Sequence, residues 1–275
     1  MKIFNIGLVG YGKMGRVFAK EIKINKRFRL KKILRGEQAR KNPECIKKFF
    51  KLKDIDIYII TSPVSTHFKY LKNAYAANKD IIIEKPLVEN QTQLKKLIKL
   101  NKNFKRKILI HHNDVLNFEK FKIKKKFGNF SKIKKIEMIF GKKEKKNSYI
   151  KPHFDWLPHP LSIIFNIFGK PKKFKILSYS RKRKNTLILE NLNLSFNIKN
   201  FKIFVMFSNS FTKPHKKVIV YKDSKKQTYN GYSLKNQRTV KILLEKYYYS
   251  RYINDVKKNI NTYKSLFQID KKLTL

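Results

Sequence analysis

Residues 3–15 read IFNIGLVGYGKMG, and this stretch decides the fold of the first half of the chain. The apolar run at residues 3–9 is typical of a buried parallel strand. Gly10, Gly12 and Gly15 then form a G-x-G-x-x-G turn. Such glycines allow a tight bend, the approach of a diphosphate and close packing of the following helix.

This turn predicts a dinucleotide site at the N-terminus of the helix that follows it, because strand and helix signals flank the glycines. A glycine-rich turn without a ligand is the alternative. The residues expected to line the site are Gly10, Tyr11, Gly12, Lys13, Met14 and Gly15.

Strand and helix signals alternate as far as residue 114, which predicts a doubly wound parallel sheet, a Rossmann domain, over residues 1–114. Further strands are predicted at 29–34, 55–60, 80–83 and 108–110, and helices at about 13–25, 37–53, 65–78 and 92–103. No separate strand is indicated between Arg35 and Asp54. We therefore expect the sheet to have lost a strand on the side that would receive the adenosine.

Residues 115–275 predict a second, α+β domain with a mostly antiparallel open sheet. Strand-like runs occur at 133–140 and near 174–179, 186–198, 201–209 and 217–221. Helices are predicted at 118–127, ended by Gly128, around 161–168, ended by Gly169, and at 239–256.

The formal net charge of +49 would ordinarily indicate binding to nucleic acid or to an anionic membrane. However, the cations are 57 lysines and only 10 arginines, and they are spread over every segment. Lys, Asn, Ile, Phe and Tyr all have A/T-rich codons. We therefore interpret the charge mainly as compositional background that still attracts anionic substrates, with a functional basic surface as the alternative.

The single cysteine, Cys45, excludes an internal disulfide and is typical of a reducing cytoplasm, where we expect the protein. We expect no signal peptide, and no apolar stretch approaches the roughly 18 residues of a membrane span. No membrane partner is predicted.

Arg35 lies 20 residues beyond Gly15, where a dinucleotide fold places the group that contacts the adenosine ribose. An acidic residue there suits the 2′-hydroxyl of NAD, whereas an arginine favours the 2′-phosphate of NADP. That Arg35 is simply one more surface cation stays open.

Three further motifs follow predicted strands or lie on a proline-flanked segment: Thr61-Ser62-Pro63…His67, Glu84-Lys85-Pro86 and Asp155-Trp-Leu-Pro-His159. Together with the glycine turn they resemble the Gfo/Idh/MocA family of oxidoreductases, the relatives of glucose–fructose oxidoreductase and inositol dehydrogenase. The resemblance covers essentially the whole chain and is most specific in the first half.

The resemblance implies a role for each matching residue. Lys85 would reach the substrate hydroxyl and the nicotinamide ribose. His159 would donate or accept the hydroxyl proton, and Asp155 would orient the substrate. The residues implied to run past the cofactor are Thr61, Ser62, Pro63, His67, Glu84 and Lys85.

The resemblance further implies NAD or NADP as cofactor, a sugar, nucleotide sugar or cyclitol as substrate, and a homo-oligomer. Moving a hydride from a hydroxyl carbon requires a base for the hydroxyl proton, and histidine titrates near neutrality. No metal is required. The alternative from another class is a non-catalytic nucleotide-binding or nucleic-acid-binding protein.

The second half departs from the family pattern D-x-G-x-H-x-x-D at its third and last residues, which are Leu157 and Ser162, and Pro160 follows the histidine. These departures affect the expected substrate and catalytic geometry. Of the other histidines, one of His111 and His112 is expected in the core and one in a cleft, since neighbours on a strand point to opposite faces. His153 and His215 are expected at the surface.

Overall fold

The computed structural model describes residues 2–120, 130–144, 150–222, 225–231 and 236–274. Contacts between Cα atoms divide the chain into two compact units. The first unit comprises Met1–His111 and Asn236–Ile260, and the second comprises His112–Lys235 and Asn261–Leu275.

The first unit is built on a parallel sheet whose five strands lie in the order β2-β1-β3-β4-β5. The strands are β1 Phe4–Val9, β2 Phe28–Leu34, β3 Ile57–Ile60, β4 Asp80–Glu84 and β5 Ile108–His111. Every residue of β3 and β5 is buried, as expected for strands covered on both faces. The predicted Rossmann-type parallel sheet is confirmed.

Helices follow the strands of the first unit in alternation. They are α1 Lys13–Ile24, α2 Gly36–Lys41, α3 Glu44–Phe50, α4 Val64–Ala76 and α5 Gln91–Asn101. The helix predicted at 37–53 is two short helices, because the chain is extended at Asn42 and Pro43 begins α3. No strand occurs in residues 35–56, all of which the structure describes, so β2 is a sheet edge, as the missing strand signal predicted.

The second unit carries a sheet whose six strands lie in the order β11-β10-β6-β9-β8-β7. They are β6 Ile133–Gly141, β7 Lys173–Lys184, β8 Leu187–Asn197, β9 Lys202–Ser208, β10 His215–Lys222 and β11 Lys225–Asn230. All neighbours are antiparallel except β6 and β9, which confirms the predicted mostly antiparallel sheet. The sequence did not predict β11.

The second unit contains α6 Asn113–Lys120, α7 Pro152–Trp156 and α8 Pro158–Ile163, and a π-helical turn at Ile164–Phe168. Gly169 ends that turn with a φ of 108°, in the region that glycine favours, as predicted. Of the helix predicted at 118–127, residues 121–127 and the predicted stop at Gly128 lie outside the described residues.

The single helix predicted at 239–256 is instead two helices, α9 Asn236–Tyr249 and α10 Asp255–Leu273. The aromatic ring of Tyr247 in α9 packs edge-on against Phe4, with centroids 5.3 Å apart, and its hydroxyl donates to Asp80 at 2.7 Å. Through such contacts, residues 236–260 belong to the first unit. The predicted domains, 1–114 and 115–275, are contiguous and do not include this return of the chain. None of the helices in the described ranges is both long and apolar enough to cross a bilayer.

Candidate functional site

The glycine turn between β1 and α1 has two glycines that the fold requires and one that faces open space. Gly10 has a φ of 89°, and a Cβ there would lie 2.8 Å from the backbone nitrogen of Ser62. A Cβ at Gly15 would overlap the carbonyl oxygen of Gly10. A Cβ at Gly12 would meet nothing within 4 Å. Only the middle glycine therefore leaves room for a bound group.

The N-terminus of α1 faces this open space without a side-chain cap. Gly12 is the N-cap residue and can offer no side-chain hydrogen bond, and Lys13 and Met14 form the first turn. The N–H groups in the first turn of a helix can bind phosphate oxygens. The residues present thus fit a dinucleotide diphosphate.

Tyr11, the residue between the first two glycines, is in contact with two arginines. The guanidinium of Arg35 lies over the Tyr11 ring, 4.5 Å from its centroid. Arg16 Nη1 donates to the Tyr11 carbonyl at 3.4 Å. Two guanidinium groups therefore lie beside the turn, at the edge formed by the end of β2.

The loop after β3 is fastened to the glycine turn. Thr61 Oγ1 lies 3.1 Å from the Val9 carbonyl oxygen and 2.9 Å from that of Gly10. Pro63 then begins α4, and Thr66 Oγ1 donates to Ser62 Oγ at 2.8 Å. The structure thus brings together two of the motifs that the sequence predicted to line a cofactor.

His67 connects this loop to the third motif. Its Nε2 lies 2.8 Å from the carbonyl oxygen of Ser62, and its Nδ1 lies 2.8 Å from that of Pro86. The ring is 1% exposed, and burial lowers its pKa although both carbonyls oppose that shift. Because both ring nitrogens face backbone oxygens, His67 holds the two loops in place.

Glu84 ends β4, Lys85 follows it, and the Lys85–Pro86 peptide bond is cis. The Glu84 carboxylate accepts a hydrogen bond from Nδ1 of His111, whose Nε2 lies 2.9 Å from Thr239 Oγ1. Burial opposes ionisation, but His111 and the charge of Lys85 hold the pKa of Glu84 below its ordinary value. Glu84 is therefore a buried anion next to Lys85, and it is hydrogen-bonded to a histidine.

The second unit contains the predicted histidine motif. Asp155 lies in α7 and His159 in α8, and Leu157 between them is also helical, so the two side chains are one turn apart on one face. Nδ1 of His159 lies 2.8 Å from Oδ2 of Asp114, and Nζ of Lys216 lies 3.3 Å from the same oxygen.

Sequence reasoning missed Asp114 and Lys216. Asp114 is fully buried, but Lys216 and His159 hold its pKa well below the ordinary value against the effect of burial. An acidic residue in the first turn of a helix, directly after a strand, is a weak signal for Asp114. Lys216 is one of 57 lysines and carries no signal at all.

Asp155 is half-buried, and a second carboxylate lies near it. Burial and the charge of Asp155 raise the pKa of Glu144. In these contacts the second unit therefore contains a histidine, a lysine and several carboxylates, groups that can exchange protons and bind hydroxyl groups.

The structure corrects the predictions for the remaining histidines. His153 is 2% exposed and not at the surface, because Glu190 Oε2 at 2.8 Å and Asp270 Oδ1 at 3.0 Å surround its ring. His215 is half-buried and packs edge-on against Phe211. His111 and His112 are both buried, with Tyr263 beside His112, whereas one of the two was expected in a cleft.

Residues 4–112 match the sequence family described as "Oxidoreductase family, NAD-binding Rossmann fold". No curated protein sequence matches the chain.

Solved structures with similar folds cover nearly the whole chain. UDP-N-acetylglucosamine 3-dehydrogenase from Acidithiobacillus ferrooxidans has a TM-score of 0.77 at 15% identity, covering 98% of this chain and 97% of its own. An NAD-binding oxidoreductase from Klebsiella pneumoniae has a TM-score of 0.76 at 15% identity, covering 96% and 95%. Biliverdin reductase from Synechocystis has a TM-score of 0.74 at 11% identity, covering 97% and 98%. These likenesses show the fold.

Proposed function

We propose that the chain is an oxidoreductase of the Gfo/Idh/MocA family, whose model residues 4–112 match, and that it transfers a hydride between NAD or NADP and a hydroxyl or keto carbon of a sugar, nucleotide sugar or cyclitol. The observation that carries this proposal is the glycine turn. Gly12 leaves open space in front of an uncapped helix N-terminus, while Thr61 ties the neighbouring loop to the turn.

The nicotinamide, when bound, supplies the group that accepts or donates the hydride. The chain's own part in that step is to hold the diphosphate through the N–H groups of α1. Ser62 and Pro63, which precede α4, would flank the cofactor, and His67 would keep their loop and the Lys85 turn in one arrangement.

Arg35 favours NADP within this proposal. Its guanidinium lies over Tyr11 at the end of β2, and Arg16 lies beside the same residue. A planar guanidinium binds the oxygens of a phosphate in a fork, which is the contact that a 2′-phosphate would need. The residue at this position is not acidic, so it offers no acceptor for a ribose hydroxyl.

Lys85 and His159 are proposed to handle the proton that leaves the hydroxyl oxygen when its carbon is oxidised. Lys85 follows a buried carboxylate, Glu84, and His159 has Nδ1 directed at Asp114. The Nε2 of His159 is then the nitrogen that can take or return a substrate proton. Asp155, one helical turn earlier, can accept hydrogen bonds from substrate hydroxyls.

A homo-oligomer is proposed as well. Leu177 of β7 and Met206 of β9 are 53% and 44% exposed on the six-stranded sheet. Apolar side chains on an open sheet face are commonly covered by a second subunit.

Purified protein mixed with NAD or NADP and a panel of nucleotide sugars, free sugars and cyclitols tests the proposal. We expect reduced cofactor to accumulate, as measured by its absorbance, with at least one class. Biliverdin belongs in the reverse-direction panel, since a protein of this fold reduces it. Tight DNA binding with a steep salt dependence, and no cofactor binding, would support the non-catalytic alternative and contradict the proposal.

A further inference from the structure

The buried carboxylate of Asp114 has no counterpart among the motifs that the sequence indicated. It lies in α6, is 1% exposed, and presents the same oxygen to two nitrogen groups, His159 Nδ1 at 2.8 Å and Lys216 Nζ at 3.3 Å. Desolvating a carboxylate is costly unless charged partners compensate it. The two contacts therefore account for its burial.

Gly231 leaves the space that this carboxylate occupies. A Cβ there would lie 2.8 Å from Asp114 Oδ1 and 3.2 Å from Lys216 Cβ. On the other side, the His159 ring lies nearly parallel to Phe140, with centroids 6.3 Å apart, and 5.8 Å from Trp156. Packing and hydrogen bonding thus fix the plane of the imidazole together.

The aspartate that the family pattern has three residues after the histidine is Ser162 in this chain. Its hydroxyl donates to the backbone carbonyl of His159 at 2.9 Å and not to the ring. A carboxylate nevertheless contacts the ring, and it is supplied by Asp114 from a different helix.

We propose that Asp114 is the positioning residue of His159 in this chain and that Lys216 sets the basicity of the histidine; the proposal rests on the function proposed above. Asp114 accepts a hydrogen bond from the Nδ1–H of His159. Nε2 is then the nitrogen that exchanges a proton with the substrate. Lys216 contacts the same oxygen, so its charge opposes the formation of an imidazolium.

The charged and titratable groups that contact or influence Asp114 are His159 of α8, Lys216 of β10 and Tyr229 of β11. Asp155 of α7 lies one helical turn before His159 and influences Glu144. The carboxylate of Asp114 is ionised throughout the neutral range, since its pKa is strongly lowered. Because Asp114 and Lys216 have opposite charges, removing one or the other shifts the pKa of His159 in opposite directions.

Nuclear magnetic resonance measures the pKa and the tautomer of the His159 ring in the full chain, and so tests the proposed roles of Asp114 and Lys216. Lys216→Met keeps the length of the side chain and is expected to raise the pKa of His159 by about one unit, whereas Asp114→Asn lowers it by a similar amount. Asp114→Asn is also expected to lower kcat roughly 10-fold to 100-fold while KM changes by less than about 2-fold. Ser162→Ala is the control and leaves the pKa of His159 and kcat unchanged.

Asp114→Asn leaves Lys216 without its counter-charge, so the double variant Asp114→Asn with Lys216→Met removes both charges together. The double variant is expected to lose the preference for the Nδ1-protonated tautomer. An unchanged tautomer in the double variant, an unchanged pKa in Lys216→Met, or pKa shifts of equal sign in the two single variants would overturn the proposal.

The ring measurement needs neither cofactor nor substrate. If the shifts occur and no substrate is found, the proposed function fails while Asp114 still positions the ring. If turnover is found and the ring does not respond, the positioning role of Asp114 fails alone.

Discussion

The two units form their candidate sites from different groups. In the first unit the carbonyl oxygens of Gly10, Ser62 and Pro86 are the acceptors, and the loops are joined through the backbone. In the second unit three side chains from different elements, Asp114, His159 and Lys216, meet at one oxygen. Backbone turns are encoded by short motifs, whereas a side-chain cluster depends on how distant elements pack.

Replacing Lys85 is expected to have the largest effect on activity, because Lys85 is the residue of the first unit whose side chain is proposed to transfer a proton. Lys85→Ala is expected to lower kcat by about 10²-fold to 10⁴-fold, since a positioned proton-transfer group contributes that much. Lys95→Ala, an exposed lysine of α5, is the matched control. Steady-state kinetics with the substrate found by the panel measures both, and equal kcat values would remove Lys85 from the site.

The backbone character of the first site is tested by comparing Gly10→Ala with Gly12→Ala. Alanine at Gly10 would adopt a φ of 89° and press its Cβ to 2.8 Å from the Ser62 nitrogen. We expect it to lower the free energy of unfolding by about 3 kcal/mol, and Gly12→Ala by less than about 1 kcal/mol. Urea denaturation measures the difference. Equal losses would mean that these contacts do not hold the turn.

Arg35 tests whether a side chain adds specificity to the backbone site. Arg35→Ala is expected to weaken NADPH binding by about 10-fold and to leave NADH binding unchanged, because a guanidinium–phosphate contact is lost. Arg29→Ala, an exposed arginine of β2, the strand that Arg35 follows, is the control. Fluorescence titration with both cofactors gives the ratio. A parallel loss for NADH would make Arg35 a general surface cation.

The smallest effect concerns the pH dependence of the second unit. Burial disfavours the charged ring of His153, but hydrogen bonds to Asp270 and Glu190 raise its pKa overall. A raised folded-state pKa contributes stability that is fully present below the unfolded-state value of about 6.5 and is lost as pH rises through the folded-state value.

The free energy of unfolding should therefore fall with rising pH above about 6.5, and His153→Gln should flatten this part of the curve. Phe154→Leu, a neighbouring change that removes no titrating group, should lower stability by about 1 kcal/mol without changing the slope. Denaturation at a series of pH values measures the curves. An unchanged slope in His153→Gln would show that the ring does not gain charge stabilisation from its two carboxylates.

The backbone turns and the parallel sheet of the first unit could be predicted from the sequence, whereas the side-chain clusters of the second unit could not. The parallel sheet was predictable because most of its strands are apolar runs, and Gly10, Gly12 and Gly15 indicate the turn locally. Strand β11 reads KKQTYN and becomes a strand only through pairing with β10, so its own residues give no strand signal.

The side-chain clusters of the second unit could not be predicted for a related reason. The partners of His153 lie 37 and 117 residues away in the chain, and Lys216 lies 102 residues from Asp114. In a chain with 57 lysines, no composition argument singles out the one that is buried against a carboxylate.

The central claim, that the glycine turn holds a nicotinamide dinucleotide, is tested most directly by titrating the chain and its Gly12→Val variant with NADPH and NADH. We expect the wild type to enhance the cofactor's fluorescence and to be stabilised against heat by it. Because a Cβ at Gly12 meets nothing within 4 Å, the variant should keep its unfolding temperature without cofactor and lose the binding. Full binding by a folded Gly12→Val protein would contradict the claim.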